Sequence, residues 1–129
     1  MRLVGLCAAT LLSTCFLVLA ASAQEVTRTE LKRADLSGTS MEIQQAVVEV
    51  PPGATVPRHS HAGEEVFYVL EGGTVKNWEG KDQEIKLGAG GVIPRGTVHA
   101  GFTNVGRTTL KFLTVHVLDK GGPLQILAK

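Results

Sequence analysis

From about residue 41 onward, apolar and β-branched residues come in short runs, broken by glycine and proline at close intervals. Ile43–Val50 is rich in β-branched side chains and stops at Pro51-Pro52-Gly53. Glu65–Leu70 (EVFYVL) is bounded by Gly63 and by Gly72-Gly73. Thr74–Trp78 and Gln83–Leu87 flank Glu79-Gly80-Lys81-Asp82, which reads as a hairpin turn. Val92-Ile93 is halted at Pro94-Arg95-Gly96, and Val98–Thr103 and Thr108–Leu118 surround Asn104-Val105-Gly106. Branched side chains fit a pleated surface, and Gly and Pro end it, so the pattern predicts seven or eight short strands. Alternation along Glu65–Leu70 puts Glu65, Phe67 and Val69 on one face and Val66, Tyr68 and Leu70 on the other. No stretch after residue 24 carries a helical period with caps. The expected fold class is all-β, a sandwich or barrel, with residues 24–40 polar and irregular.

The first 23 residues follow a different pattern. Arg2 precedes an uncharged run from Leu3 to Gln24, which contains Ala21-Ser22-Ala23. A basic start, an apolar middle and a small-residue end predict a secretory signal peptide cleaved after Ala23. The run is long enough to cross a bilayer, but Thr10, Ser13 and Thr14 dilute its centre, which favours cleavage over an anchor. Both cysteines, Cys7 and Cys15, leave with it, so the mature domain at 24–129 has no disulfide or thiolate chemistry. The expected location is secreted or periplasmic, with no membrane attachment once the signal is removed.

The charge balance excludes one class of partner. Thirteen basic and twelve acidic side chains leave a formal charge of +1, and the densest basic pair is Lys32-Arg33. Nucleic acid requires a clustered basic surface, which this chain lacks.

Three of the four histidines carry the candidate chemistry. Residues two apart on a strand share a face, so His59 and His61 point the same way. Glu65, four further on, keeps that parity if the chain stays extended across Gly63. Two neutral imidazoles and a carboxylate suit a divalent transition metal: imidazole favours Fe, Ni, Cu or Zn, and carboxylate adds affinity for Mn. His99 would have to come from a neighbouring strand to complete the set.

The same residues resemble a family. Gly53, His59, His61, Glu65 and Gly72, at spacings G-x5-H-x-H-x3-E-x6-G, resemble the first motif of the cupin superfamily. Gly88, Pro94, Gly96 and His99, at G-x5-P-x-G-x2-H, resemble the second. The resemblance spans roughly 43–118 and implies a small jelly-roll β-barrel, with His59, His61, Glu65 and His99 as ligands of one metal ion. Four protein ligands around a six-coordinate ion would leave two positions for water, O₂ or a chelating substrate. The resemblance also implies a homodimer formed by pairing edge strands, to which residues 30–40 could add a strand. Two departures stand out: Thr103 occupies the position where the motif has Asn, with Asn104 one later, and Ala89 replaces a common Asp. Ala89 is followed by Gly90-Gly91, which predicts a weak strand there.

Outside the motifs, His116 lies in the run FLTVHVL as a candidate catalytic proton donor, against the plainer reading of a half-buried strand histidine. Trp78 is expected at an interface or a rim, and Gln44, Gln45 and Asn77 are candidate polar contacts. Two functional classes follow. The first is a metalloenzyme acting on a small organic molecule, with dioxygenase-like chemistry favoured over decarboxylation or isomerisation. The alternative is a non-catalytic protein that binds a metal or a small ligand.

Overall fold

The computed structural model describes residues 24–129; the expected signal peptide lies outside them. Ten strands form two five-stranded antiparallel sheets. They are β1 (Thr27–Asp35), β2 (Met41–Val50), β3 (Thr55–Ser60), β4 (Gly63–Glu71), β5 (Gly73–Asn77), β6 (Asp82–Ile85), β7 (Gly90–Ile93), β8 (His99–Asn104), β9 (Leu110–Asp119) and β10 (Ile126–Leu127). One sheet runs β1-β2-β9-β4-β7 and the other β10-β3-β8-β5-β6. No helix occurs among the described residues, and the all-β expectation holds.

The inward faces follow the predicted alternation. On β4, Val69 is buried and Phe67 half-buried, while Val66, Tyr68 and Leu70 are exposed. On β9, Leu110, Thr114, His116 and Leu118 point inward. Val50, Ala54, Val75 and Leu110 form a dry core, flanked by Val26, Val48, Val56, Ile85, Phe102 and Phe112. Burying a Val or Leu side chain contributes about 1.5–3 kcal/mol. This cluster anchors the sheets around the polar centre described below.

The motif glycines do what the backbone requires. Gly53, Gly88 and Gly96 take positive φ, and a side chain on Gly72 would collide with the Ile85 carbonyl. Asn104 explains the departure at Thr103. It is 1% exposed, and its Nδ2 donates to the Val50 and Thr108 carbonyls at 2.8 and 2.9 Å while its Oδ1 accepts from Gly106 N–H at 2.9 Å. Asn104 therefore ties three chain segments together one position later than the motif has its Asn. Despite Gly90-Gly91, β7 forms, paired with β4 from Glu65↔Ile93 to Tyr68↔Gly90.

Residues 24–40 depart from expectation. Instead of an irregular segment they contain β1, paired with β2 of the same chain from Thr27↔Glu49 to Asp35↔Glu42. A shift between Glu30 and Lys32 breaks the alternation, and all nine residues of β1 are exposed. An edge strand with little apolar face leaves no period-2 signal to read. Strand β3 gives no clear signal either, because Pro57 interrupts it; Val56 and Arg58 pair with β8 and Pro57 does not.

Candidate metal centre

Two cross-strand pairs build the centre, one from each sheet. His59 on β3 lies directly opposite His99 on β8, and Glu65 on β4 lies directly opposite His116 on β9. His61 sits at the crossover from β3 to β4, where the chain leaves one sheet for the other. Strand parity aims His59, His99, Glu65 and His116 into the interior; the chain is not extended from His61 to Glu65 but crosses between sheets there, and the crossover brings His61 to the same centre. His59, His61 and Glu65 are buried at 5–8% exposure and His116 is fully buried.

Hydrogen bonding sets the imidazole tautomers. Nδ1 of His59 donates to the Pro57 carbonyl at 2.7 Å, and Nδ1 of His99 to the Thr97 carbonyl at 2.9 Å. Nδ1 of His61 donates to the Leu124 carbonyl, on the segment leading into β10. A carbonyl can only accept, so the proton of each neutral ring resides on Nδ1 and the Nε2 lone pair faces the centre. Backbone carbonyls holding the outer nitrogen are the usual support of metal-binding histidines.

Glu65 completes the set. Its Oε2 lies 2.9 Å from His61 Nε2 and 3.1 Å from His99 Nε2, yet it is buried with no directed hydrogen bond among the described residues. Burial opposes its ionisation, but wherever the His116, His61 and His99 rings turn a proton towards it they outweigh burial and hold the carboxyl far below its ordinary value, so it stays ionised through the acid range. Once the rings are neutral with their protons on Nδ1, that ionised oxygen faces nitrogen lone pairs at contact distance. A cation among them satisfies every one, and the four ligand atoms lie within 4.8 Å of one another. The donor set thus fits a divalent transition metal held by His59, His61, Glu65 and His99. Burial pushes His59 below its ordinary imidazole value, with the Pro57 carbonyl opposing. At His99 burial is outweighed by Glu65 and the Thr97 carbonyl, and the value rises.

The centre opens onto a cavity of about 590 Å³, within the range of small-molecule sites. Apolar side chains of Val48, Phe67, Phe102 and Phe112 form much of its wall. Asn77 lines it, whereas Gln44 and Gln45 do not. Trp78 is 61% exposed at the lining, with the Arg58 guanidinium 4.7 Å from its ring centroid.

His116 also lines the cavity, and its surroundings define its protonation. Arg28 Nη2 donates to His116 Nδ1 at 3.0 Å, so the ring proton sits on Nε2, 3.4 Å from His61 Nε2 and 3.6 Å from Glu65 Oε2. Burial lowers its value, Glu65 opposing, so the ring is neutral near pH 7. The sequence pattern gives no sign of Arg28, for the same reason as β1: an exposed edge strand carries no inward pattern.

Comparison with known proteins agrees with this geometry. Residues 46–116 match the family described as cupin domain. The chain is a cupin. It is 40% identical over 74 residues to an oxalate-binding protein of Thermotoga maritima, covering 57% of this chain and 60% of that protein. The cupin thus spans somewhat under two thirds of this relative's length. Among solved structures, a conserved Klebsiella pneumoniae protein with a double-stranded beta-helix domain superposes with TM-score 0.61 at 22% identity, over 84% of this chain and 88% of that one. The polyketide cyclase RemF of Streptomyces resistomycificus gives 0.60 at 29% identity, over 83% of this chain and 73% of its own.

Proposed function

We propose that this cupin is an exported metalloenzyme acting on a small organic molecule, with dioxygenase-like oxidation ahead of decarboxylation and isomerisation. The observation that carries the reading is the buried Glu65 Oε2, without a hydrogen-bond donor, among Nε2 atoms whose protons are held elsewhere. When bound, a redox-active divalent ion would supply Lewis-acid polarisation and electron transfer at this point. The chain's own residues do the rest. The Pro57, Leu124 and Thr97 carbonyls fix the three ligating rings. The apolar wall excludes water from a ligand held there. His116 holds a proton at Nε2 facing Glu65 and His61, and we assign it the proton-handling role. Dioxygenase-like chemistry is preferred because the cavity holds few acids or bases beyond the ligand set, and such a reaction needs few.

Export is proposed from the basic, apolar, A-x-A composition of residues 1–23. A homodimer is proposed from the outer face of β4 and β7, where Val66, Tyr68 and Val92 are 43%, 49% and 64% exposed in one patch. Light scattering that finds only monomer would remove it.

The test begins with elemental analysis of the purified protein beside His59→Ala/His99→Ala. Near-stoichiometric Fe, Mn, Ni or Cu that vanishes in the variant supports the reading, and oxygen uptake against enols, phenols and organic acids then tests turnover. Metal in neither protein, with the fold intact, refutes it. A second reading, non-catalytic ligand binding, is favoured by the Thermotoga maritima relative, which is described as binding oxalate. Tight ligand binding with no product under any of these conditions would select it.

A further inference from the structure

Arg28 is an unusual occupant of this cavity. It is the second residue of β1, paired with Val48 on β2, and its side chain crosses β2 to reach β9. Nη2 contacts Thr114 Oγ1 at 3.2 Å and His116 Nδ1 at 3.0 Å, both on residues that are buried. The residue as a whole is exposed because it sits on the edge strand, but its head lies against the cavity wall, where desolvation lowers its value. Among the described residues no carboxylate lies within salt-bridge distance of it; Glu65 and Glu30 act on it only from further away. Its Nη1 and Nε make no hydrogen bond to described residues.

Partly desolvating a guanidinium without a counterion is costly, and the cost is recovered when an anion joins it. Glu65 is the sole carboxylate and Arg28 the sole Lys or Arg among the described residues lining the cavity. A divalent ion on the ligand set would more than neutralise Glu65, leaving the chamber net positive. Both Nη2 protons are engaged by Thr114 and His116, so Nη1 and Nε are the donors left for charge-assisted hydrogen bonds to a carboxylate. Only the His116 ring separates this guanidinium from Glu65.

We propose that Arg28 is a specificity-determining residue that receives one carboxylate of the ligand, so that the ligand class is short organic acids with a second oxygen donor reaching the His59, His61, Glu65 and His99 cluster. The proposal rests on the metal-centre reading above. The apolar wall then covers the carbon skeleton, and Arg28 rejects neutral analogues of the same shape.

The experiment is calorimetric titration of the protein, expressed from its full sequence, with oxalate, malonate and succinate and with the corresponding diamides. Wild type, Arg28→Gln and Arg28→Lys are compared, each with its metal content and thermal midpoint. Wild type should bind at least one acid and prefer it to the diamide. Arg28→Gln should weaken that acid about tenfold or more, with diamide binding and metal content unchanged, and Arg28→Lys should recover part of the loss. Acid binding unaffected in Arg28→Gln overturns the proposal, as does no acid binding by wild type. Equal loss of acid and diamide without recovery by Lys would mean a structural role, and overturns it too. Wild type lacking metal would defeat the metal reading alone; the same comparison of acids in the metal-free variants would still decide for or against Arg28.

Discussion

Replacing Glu65 by Gln separates a carboxylate that waits for a cation from one that histidine protons already satisfy. The substitution keeps the shape, removes one negative charge and adds N–H donors. In the metal-free protein at pH 8, Glu65 Oε2 is buried beside two Nε2 atoms at 2.9 and 3.1 Å and has no directed hydrogen bond. Leaving such a group unpaired costs on the order of 1–3 kcal/mol, and an amide could donate to those lone pairs. Metal-free Glu65→Gln is therefore expected to be more stable than wild type by about 1–3 kcal/mol. For a domain of this size each kcal/mol corresponds to roughly 4–8 °C in melting temperature. Adding metal at a hundredfold excess over its dissociation constant should stabilise wild type by about 2.7 kcal/mol and the variant far less, so the gap closes or inverts.

Acidification supplies an internal control. His99 has its value raised above the ordinary 6.5 in the fold, with Glu65 as a cause. Its contribution is complete below the unfolded value and is lost as pH rises through the higher folded one. Lowering the pH to about 5.5 should therefore strengthen metal-free wild type relative to Glu65→Gln and narrow the gap. His59, depressed by burial, destabilises both proteins as pH falls and largely cancels in the difference. Thermal melts in chelator at the two pH values measure all of this. A metal-free Glu65→Gln protein destabilised by more than about 1 kcal/mol at pH 8 would refute the reasoning, because Glu65 would then be held by ring protons.

Three further predictions concern the scaffold. Asn104→Ala removes two donated hydrogen bonds and one accepted bond and leaves the Val50 carbonyl without that donor; urea unfolding should show a loss of about 3 kcal/mol, and under 1 kcal/mol would contradict the tie assigned to it. Gly63→Ala should cost about 3 kcal/mol or prevent folding, since a Cβ there would lie 1.8 Å from the Val117 carbonyl oxygen, a backbone atom held in the β4–β9 pairing; soluble expression and circular dichroism report it. Ala100 follows His99 with φ of 59°, so Ala100→Gly should raise stability by up to about 1 kcal/mol in chelator, with metal stoichiometry unchanged.

Strand periodicity makes much of this molecule legible in the chain itself. The period of two along Glu65–Leu70 places Glu65, Phe67 and Val69 inside, because successive side chains on a strand must alternate. That alternation is a short-range consequence of the backbone and needs no partner strand. Spacing gives His59 and His61 a common direction, but the chain does not stay extended to Glu65: β3 and β4 lie in different sheets, and the crossover at His61 brings Glu65 to face them. The pairing of His59 with His99, and of Glu65 with His116, comes from the sheet order, which brings together residues 40 and 51 positions apart in the numbering. So does the Leu124 carbonyl that orients His61. Arg28 is the clearest case of what sequence withholds. Edge strand β1 buries no apolar face of its own, so nothing in residues 24–40 marks which side looks inward. Only its docking along β2 aims that guanidinium at His116 and the cavity, because a side chain's direction on an exposed edge is decided by the neighbour it pairs with.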